Sequence, residues 1–244
     1  MKYLLKMSYL GCDYHGFQIQ DNAKTIAGTL KKSCETLFNA PCTIQGCSRT
    51  DTGVHALVYF AACEVNGGNL VPCERIPYAL NHLLPSDISV SDCFNVSDDF
   101  NPRHTEYKEY RYIVHNSPFK DPFLHKRAVR VPDKIDEKLL DKEAKSFIGT
   151  HDFSSFMATG SPVNTTVRTI KYFNVERDGD KIIFSVAADG FLYNMVRIIV
   201  GTLIEVAYGR IDPADLQKII KCKDRSEAGM TAPSDGLYLN KVNY

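Results

Sequence analysis

Extended and helical patterning alternate along this chain in the order strand, helix, strand, strand, helix, strand, and that order then recurs. The first round opens with "KYLLKMSYL", an apolar strand-like run. Thr25 has the chemistry of an N-cap, and Ile26, Leu30, Cys34, Leu37 and Phe38 recur on one helical face. "CTIQG" and "LVYFAACEV" read as the next two strands. Pro72 begins "PCERIPYALNHLL", a helical stretch that Pro77 should bend or shorten and Pro85 should close. "DISVSDCFNV" completes the set. This is the ferredoxin-like pattern.

After a connector comes a similar set. "EYRYIVHN" is a strand, and "DEKLLDKEAKSFIG" is an amphipathic helix on Leu139, Leu140, Ala144, Phe147 and Ile148. "TVRTIKYFNVER" and "KIIFSVAAD" form a hairpin around Asp178-Gly179-Asp180. "LYNMVRIIVGTLIEVAYG" is a long helix and "LYLNKV" a closing strand. Only the element order links the halves, since no sequence repeat does. The expectation is an α+β fold of two ferredoxin-like halves, 1–105 and 106–244, with antiparallel sheets flanking a central basic active-site cleft.

Composition narrows the function classes. With 244 residues, 44% of them apolar and 24% charged, the chain can bury a proper core. No stretch has ~18 consecutive apolar residues, so no membrane span is expected. The N-terminus carries Lys6 inside its apolar run and reads as a strand rather than a secretory signal. None of the eight cysteines forms a Cys-x-x-Cys pair, so reduced thiols in a cytoplasmic protein are expected, with no disulfide framework and no bound metal. The net charge is zero, but from Arg103 to Arg130 seven Lys/Arg stand against three acids. Such a local patch is enough to meet a nucleic acid, and is equally what a solvated connector looks like.

Between the second and third strands runs "GCSRTDTGVHA". A carboxylate in a Gly-bounded loop at a strand end can act as nucleophile, base or metal ligand. An Asx-turn beside a surface arginine would look the same locally. Arg49 close to Asp51 would keep that carboxylate ionised, or would reach RNA phosphate. Arg197 borders the apolar stripe of the long helix. It either snorkels to water or points inward, where it needs a carboxylate such as Asp51. Tyr110 and Tyr112 share one strand face, either as core residues or, in a cleft, as a surface on which a base stacks. The His151-Asp152 pair beside Ser154 and Ser155 lacks a nucleophile elbow and an oxyanion loop, so hydrolase chemistry is not expected.

Taken together, these stretches resemble the TruA family of tRNA pseudouridine synthases. Arg49-Thr50-Asp51-Thr52-Gly53-Val54-His55-Ala56 is similar to that family's catalytic signature. Tyr9-Leu10-Gly11 with Tyr14-His15-Gly16-Phe17-Gln18-Ile19-Gln20 resembles its N-terminal pattern. Asp99-Phe100-Asn101-Pro102-Arg103, Lys108-Glu109-Tyr110-Arg111-Tyr112, His151 to Phe156, Arg168-Thr169-Ile170, Phe191 with Met195-Val196-Arg197, and Gly236 to Leu239 follow in the expected order. Ser48, Thr52, Leu10 and Phe17 depart from the usual residues, which leaves target choice less defined than activity. The resemblance implies that Asp51 and Arg197 are catalytic and paired, that Tyr110 stacks on the target base, and that Arg49, His55 and Arg168 also bind substrate. It implies isomerisation of uridine at positions 38 to 40 of the tRNA anticodon arm, by a homodimer without cofactor. Whether Asp51 attacks ribose C1′, attacks the base or removes the 2′ proton stays open. The alternatives are a non-catalytic RNA-binding module, pseudouridylation of another RNA, and a nucleosidase, which would want a second carboxylate.

Overall fold

In the computed structural model, which describes residues 1–160 and 163–244, the chain divides into two compact units. The first contains Met1–Glu106 and Tyr238–Tyr244, and the second Tyr107–Leu237. Its final residues, expected in the second half, thus group with the first unit.

The first unit runs β1 (Lys2–Tyr9), α1 (Ile26–Phe38), β2 (Cys42–Gly46), β3 (His55–Val65), α2 (Ile76–Leu83) and β4 (Ile88–Val96). β1 pairs antiparallel with both β3 and β4, and β2 pairs antiparallel with β3, giving the strand order β4-β1-β3-β2. That is the ferredoxin-like arrangement the pattern predicts. Thr25 caps α1, its side chain accepting from the Gly28 N–H at 3.2 Å. The predicted apolar face is buried at Ile26, Leu30, Cys34 and Phe38, and Tyr3 of β1 stacks on Phe38 at 5.5 Å. The α-helix is shorter than the stretch that begins at Pro72, as Pro77 predicts, and covers only Ile76–Leu83. A 3-10 turn (Cys73–Arg75) precedes α2, and Pro77 sits in the first helical turn, where a missing N–H leaves no bond unmade. The helix ends before Pro85, which disfavours helical geometry at Leu84. Asn81 then fixes α2 to β4 through hydrogen bonds of 2.8 Å to both the N–H and the carbonyl of Val90.

The second unit runs β5 (Tyr107–Asn116), β6 (Val129–Val131), α3 (Glu137–Ala144), β7 (Gly149–Asp152), β8 (Val167–Asp178), β9 (Lys181–Ala188), α4 (Met195–Ala207) and α5 (Leu216–Cys222). β5, β9, β8 and β7 follow one another in an antiparallel sheet, and β6 lies parallel beside β5. The expected hairpin is present, with Gly179 at φ 56° in its turn. α3 is shorter than its sequence pattern. It stops at Ala144, a 3-10 turn (Lys145–Phe147) follows, and Ile148 is exposed. α4 is buried along nearly its whole length. Among the described residues no helix is long and apolar enough to cross a membrane. β10 (Leu237–Asn243) returns to the first unit, pairing parallel with the start of β3.

Candidate active site

The loop between β2 and β3 is fixed by its main chain and by one threonine. Thr50 is buried, its hydroxyl bonded to that of Tyr9 at 2.7 Å. Its carbonyl accepts the Phe17 N–H at 3.1 Å. The Tyr59 hydroxyl donates to the carbonyl of Ser48. The Val54 N–H donates to the Asp51 carbonyl at 3.1 Å, closing a tight turn, and the Gly53 N–H donates to the Tyr14 carbonyl at 3.3 Å. Arg49 and Thr52 are exposed and Asp51 is half-buried. The spacing of arginine and aspartate thus has a local cause. Thr50 anchors the chain inward, and the two charged residues flank the anchor.

Residues 9–17 form the cradle for this loop. A Cβ on Gly11 would lie 1.9 Å from the Val54 carbonyl oxygen, so only glycine lets the two backbones approach. Gly16 has φ +80°, and a Cβ there would stand 2.6 Å from the Thr50 carbonyl oxygen. Tyr14 donates its hydroxyl to Asp87 at 2.7 Å, and burial with that bond pushes its pKa well above the usual phenol range. His55 has no exposed surface. Its Nδ1 accepts the Gly11 N–H at 3.0 Å, and its ring stacks on Tyr238 at 4.6 Å. These contacts tie the buried imidazole at the end of the loop to Gly11 and to β10. The cradle itself was missed as a functional element. The glycines of "YLG" and "HGF" were its signal in the sequence.

Tyr110, Arg168 and Arg197 belong to the second unit. Tyr110 faces Val186 across the β5–β9 pairing, is 6% exposed, and meets the Phe191 ring edge-on at 5.0 Å. Tyr112, on the same face, is fully buried, donates to the Pro233 carbonyl at 2.7 Å, and has its pKa raised by that burial. Arg197 is half-buried. Its Nε donates to the Ala232 carbonyl at 2.7 Å and its Nη1 to the Asn194 side-chain oxygen at 2.8 Å. Two neutral acceptors of its own unit therefore already meet this cation. Arg168 is half-buried and donates to the carbonyls of Thr165 and Val167 at 2.9 and 2.6 Å.

The His-Asp-Ser stretch is structural. His151 Nε2 lies 3.0 Å from the Ile148 carbonyl, away from any serine contact. Asp152 accepts from the Ser154 N–H and hydroxyl at 3.1 and 2.7 Å and from the Thr166 hydroxyl at 2.6 Å, and pairs with Lys223 at 2.9 Å. These bonds, Thr166 foremost, hold its carboxyl well below the usual carboxylate range. A lowered folded pKa contributes stability that is complete above the unfolded value and is lost as pH falls. Asp152→Asn is therefore expected to destabilise the protein by ~1–3 kcal/mol at pH 7. The gap from the unmodified protein should narrow as pH falls below the unfolded carboxyl value of about 4. Urea unfolding at pH 7 and at about pH 3 measures it, and a gap independent of pH would contradict the assignment.

Comparison with known proteins gives the family. The tRNA pseudouridine synthase family profile matches residues 144–244. Over the whole chain, a tRNA pseudouridine synthase A from Acetivibrio thermocellus is 44% identical, the alignment covering 98% of each protein. Its namesake from Thermoanaerobacter sp. is 42% identical over 99% of this chain and 98% of its own. That from Bacillus licheniformis is 40% identical over 100% of this chain and 99% of its own. The chain belongs to the tRNA pseudouridine synthase A family, isomerases that convert uridine to pseudouridine in tRNA.

Proposed function

We propose that this chain isomerises uridine at positions 38 to 40 of the tRNA anticodon arm with Asp51 as its catalytic carboxylate. The observation that carries the reading is the loop itself, whose backbone is held by buried partners while Asp51 and Arg49 stand at its surface. The reaction breaks the bond from ribose C1′ to uracil N1, turns the base, and joins C1′ to C5, from which a proton departs. Nothing is oxidised and no group is lost, so no cofactor is needed. An ionised carboxylate near the sugar, a stacking surface for the detached base and exclusion of water are needed. Arg49 would contact the RNA and help hold the nucleotide out of its stack. The His55 ring and the Gly11 N–H would act through the loop rather than on the substrate. The same reading makes the protein a cytoplasmic homodimer, and light scattering gives the mass that tests the dimer.

Incubation of a synthetic anticodon stem-loop, followed by digestion to nucleosides, distinguishes the readings. Isomerisation converts uridine to a product of equal mass. A nucleosidase would release uracil, and a binding module would leave uridine unchanged. Pseudouridine formed in another RNA but not in this arm would retain the chemistry and refute the target.

Tyr110 is proposed as the base platform. Base–aromatic stacking contributes ~1–3 kcal/mol, so Tyr110→Ala is expected to lose about 10- to 100-fold in kcat/KM. Tyr110→Phe keeps the ring and should retain most of it. Equal and full activity of both variants would remove the role. Arg197 and Arg168 enter on the family resemblance, Arg197 as the cation that keeps Asp51 ionised and Arg168 as an RNA contact. A double-mutant cycle of Asp51→Asn with Arg197→Met reads the coupling, and additive effects on unfolding would exclude it.

A further inference from the structure

Cys73 and Cys93 form a pair apart from the catalytic loop. Cys93 lies on β4, the edge strand of its sheet, opposite Leu5 of β1. Cys73 opens the 3-10 turn that leads into α2. Their sulfur atoms are 2.9 Å apart, closer than two sulfurs rest in ordinary van der Waals contact, and both are free thiols. The Asn81 bonds to Val90 hold α2 on β4, so the approach is set by the packing of this unit. Both thiols are partly exposed, whereas Cys34 and Cys63 are completely buried. Burial pushes the neighbouring Cys42 thiol up to about 12, which makes it a poor nucleophile. An oxidant in solution reaches this pair, as it reaches Cys12 and Cys222, and here it meets two sulfurs 2.9 Å apart.

We propose that Cys73 and Cys93 are an oxidative modification site, a dithiol that a hydroperoxide converts to a disulfide. The Cys73 thiolate attacks a peroxide oxygen. The O–O bond breaks, an S–O bond forms, and hydroxide leaves with the thiol proton as water. The Cys93 sulfur attacks the resulting sulfenic sulfur, the S–S bond forms, and the sulfenic hydroxyl departs with the second proton as water. Two thiols and one hydrogen peroxide give one disulfide and two waters, with two electrons passing to the peroxide. Burial and the Cys73 S–H bond hold the Cys93 thiol well above the ordinary range, which leaves the first attack to Cys73, and Cys93 takes the second step through its 2.9 Å approach. Bringing the sulfurs from 2.9 Å to bonding distance moves them by only about 0.9 Å. The bond would constrain the unfolded chain between residues 20 positions apart.

The test treats the full-length protein with dilute hydrogen peroxide and maps its peptides without reduction. The expected product is a cross-linked Cys73–Cys93 peptide pair lacking two hydrogens, cleaved again by dithiothreitol. The thermal midpoint should rise by about 5 °C on oxidation. Cys93→Ser should stop at an oxidised Cys73 with no such rise. The proposal is overturned if both thiols stay open to alkylation, if each is oxidised singly to a sulfinate, or if another cysteine pair dominates the map.

Discussion

Gly11→Ala is expected to destabilise the first unit by about 3 kcal/mol or more and to remove isomerase activity with it. The added methyl would stand 1.9 Å from the Val54 carbonyl oxygen and 2.7 Å from its carbon. Both are backbone atoms, so no rotamer change relieves the clash. Either residues 9–17 or the turn at 51–54 must move. The Gly11 N–H bond to His55 Nδ1 would be stretched as they part, leaving a buried imidazole acceptor without that donor. The Thr50 bond to Tyr9 spans the same two segments and would be strained in turn. Denaturant unfolding measures the stability, and nucleoside analysis of treated stem-loop the activity. A variant as stable and active as the parent would show that the close approach is not a requirement.

The strand–helix order was legible because it rests on local patterning. The β1 run, the Thr25 cap, the α1 stripe and the hairpin at Gly179 are each set by neighbouring residues, and each is found where that patterning places it. Errors arose where a longer-range contact decides. The last strand looks like the end of the second set, yet residues 238–244 group with the first unit, and the strand pairs with the start of β3. In the loop, the chemical residues were visible and their support was not. His55 reads as another polar group of a reactive peptide until its burial and its bond to Gly11 are seen. The bonds of Arg197 to the Ala232 carbonyl and the Asn194 amide are not visible in the apolar stripe that it borders.

Asp51→Asn carries the largest expected loss of activity. The substitution keeps the shape of the side chain and removes its charge, and the main-chain bonds of the loop at the Asp51 carbonyl and Gly53, with the Thr50 hydroxyl bond, stay in place. Folding and RNA affinity should therefore be retained. An amide can neither attack carbon as a carboxylate does nor accept a proton at neutral pH. Turnover should fall by a factor of about 10⁴ or more, the scale seen when a group that acts in bond breaking is removed.

A stem-loop carrying tritium at C5 of its target uridines tests this most directly, because joining C1′ to C5 expels that hydrogen. The account predicts that the unmodified protein releases tritium to water, while Asp51→Asn, bound to the same RNA with the same affinity, releases none above background. Release by the variant at a rate within a few-fold of the parent would contradict the assignment of the reaction to Asp51.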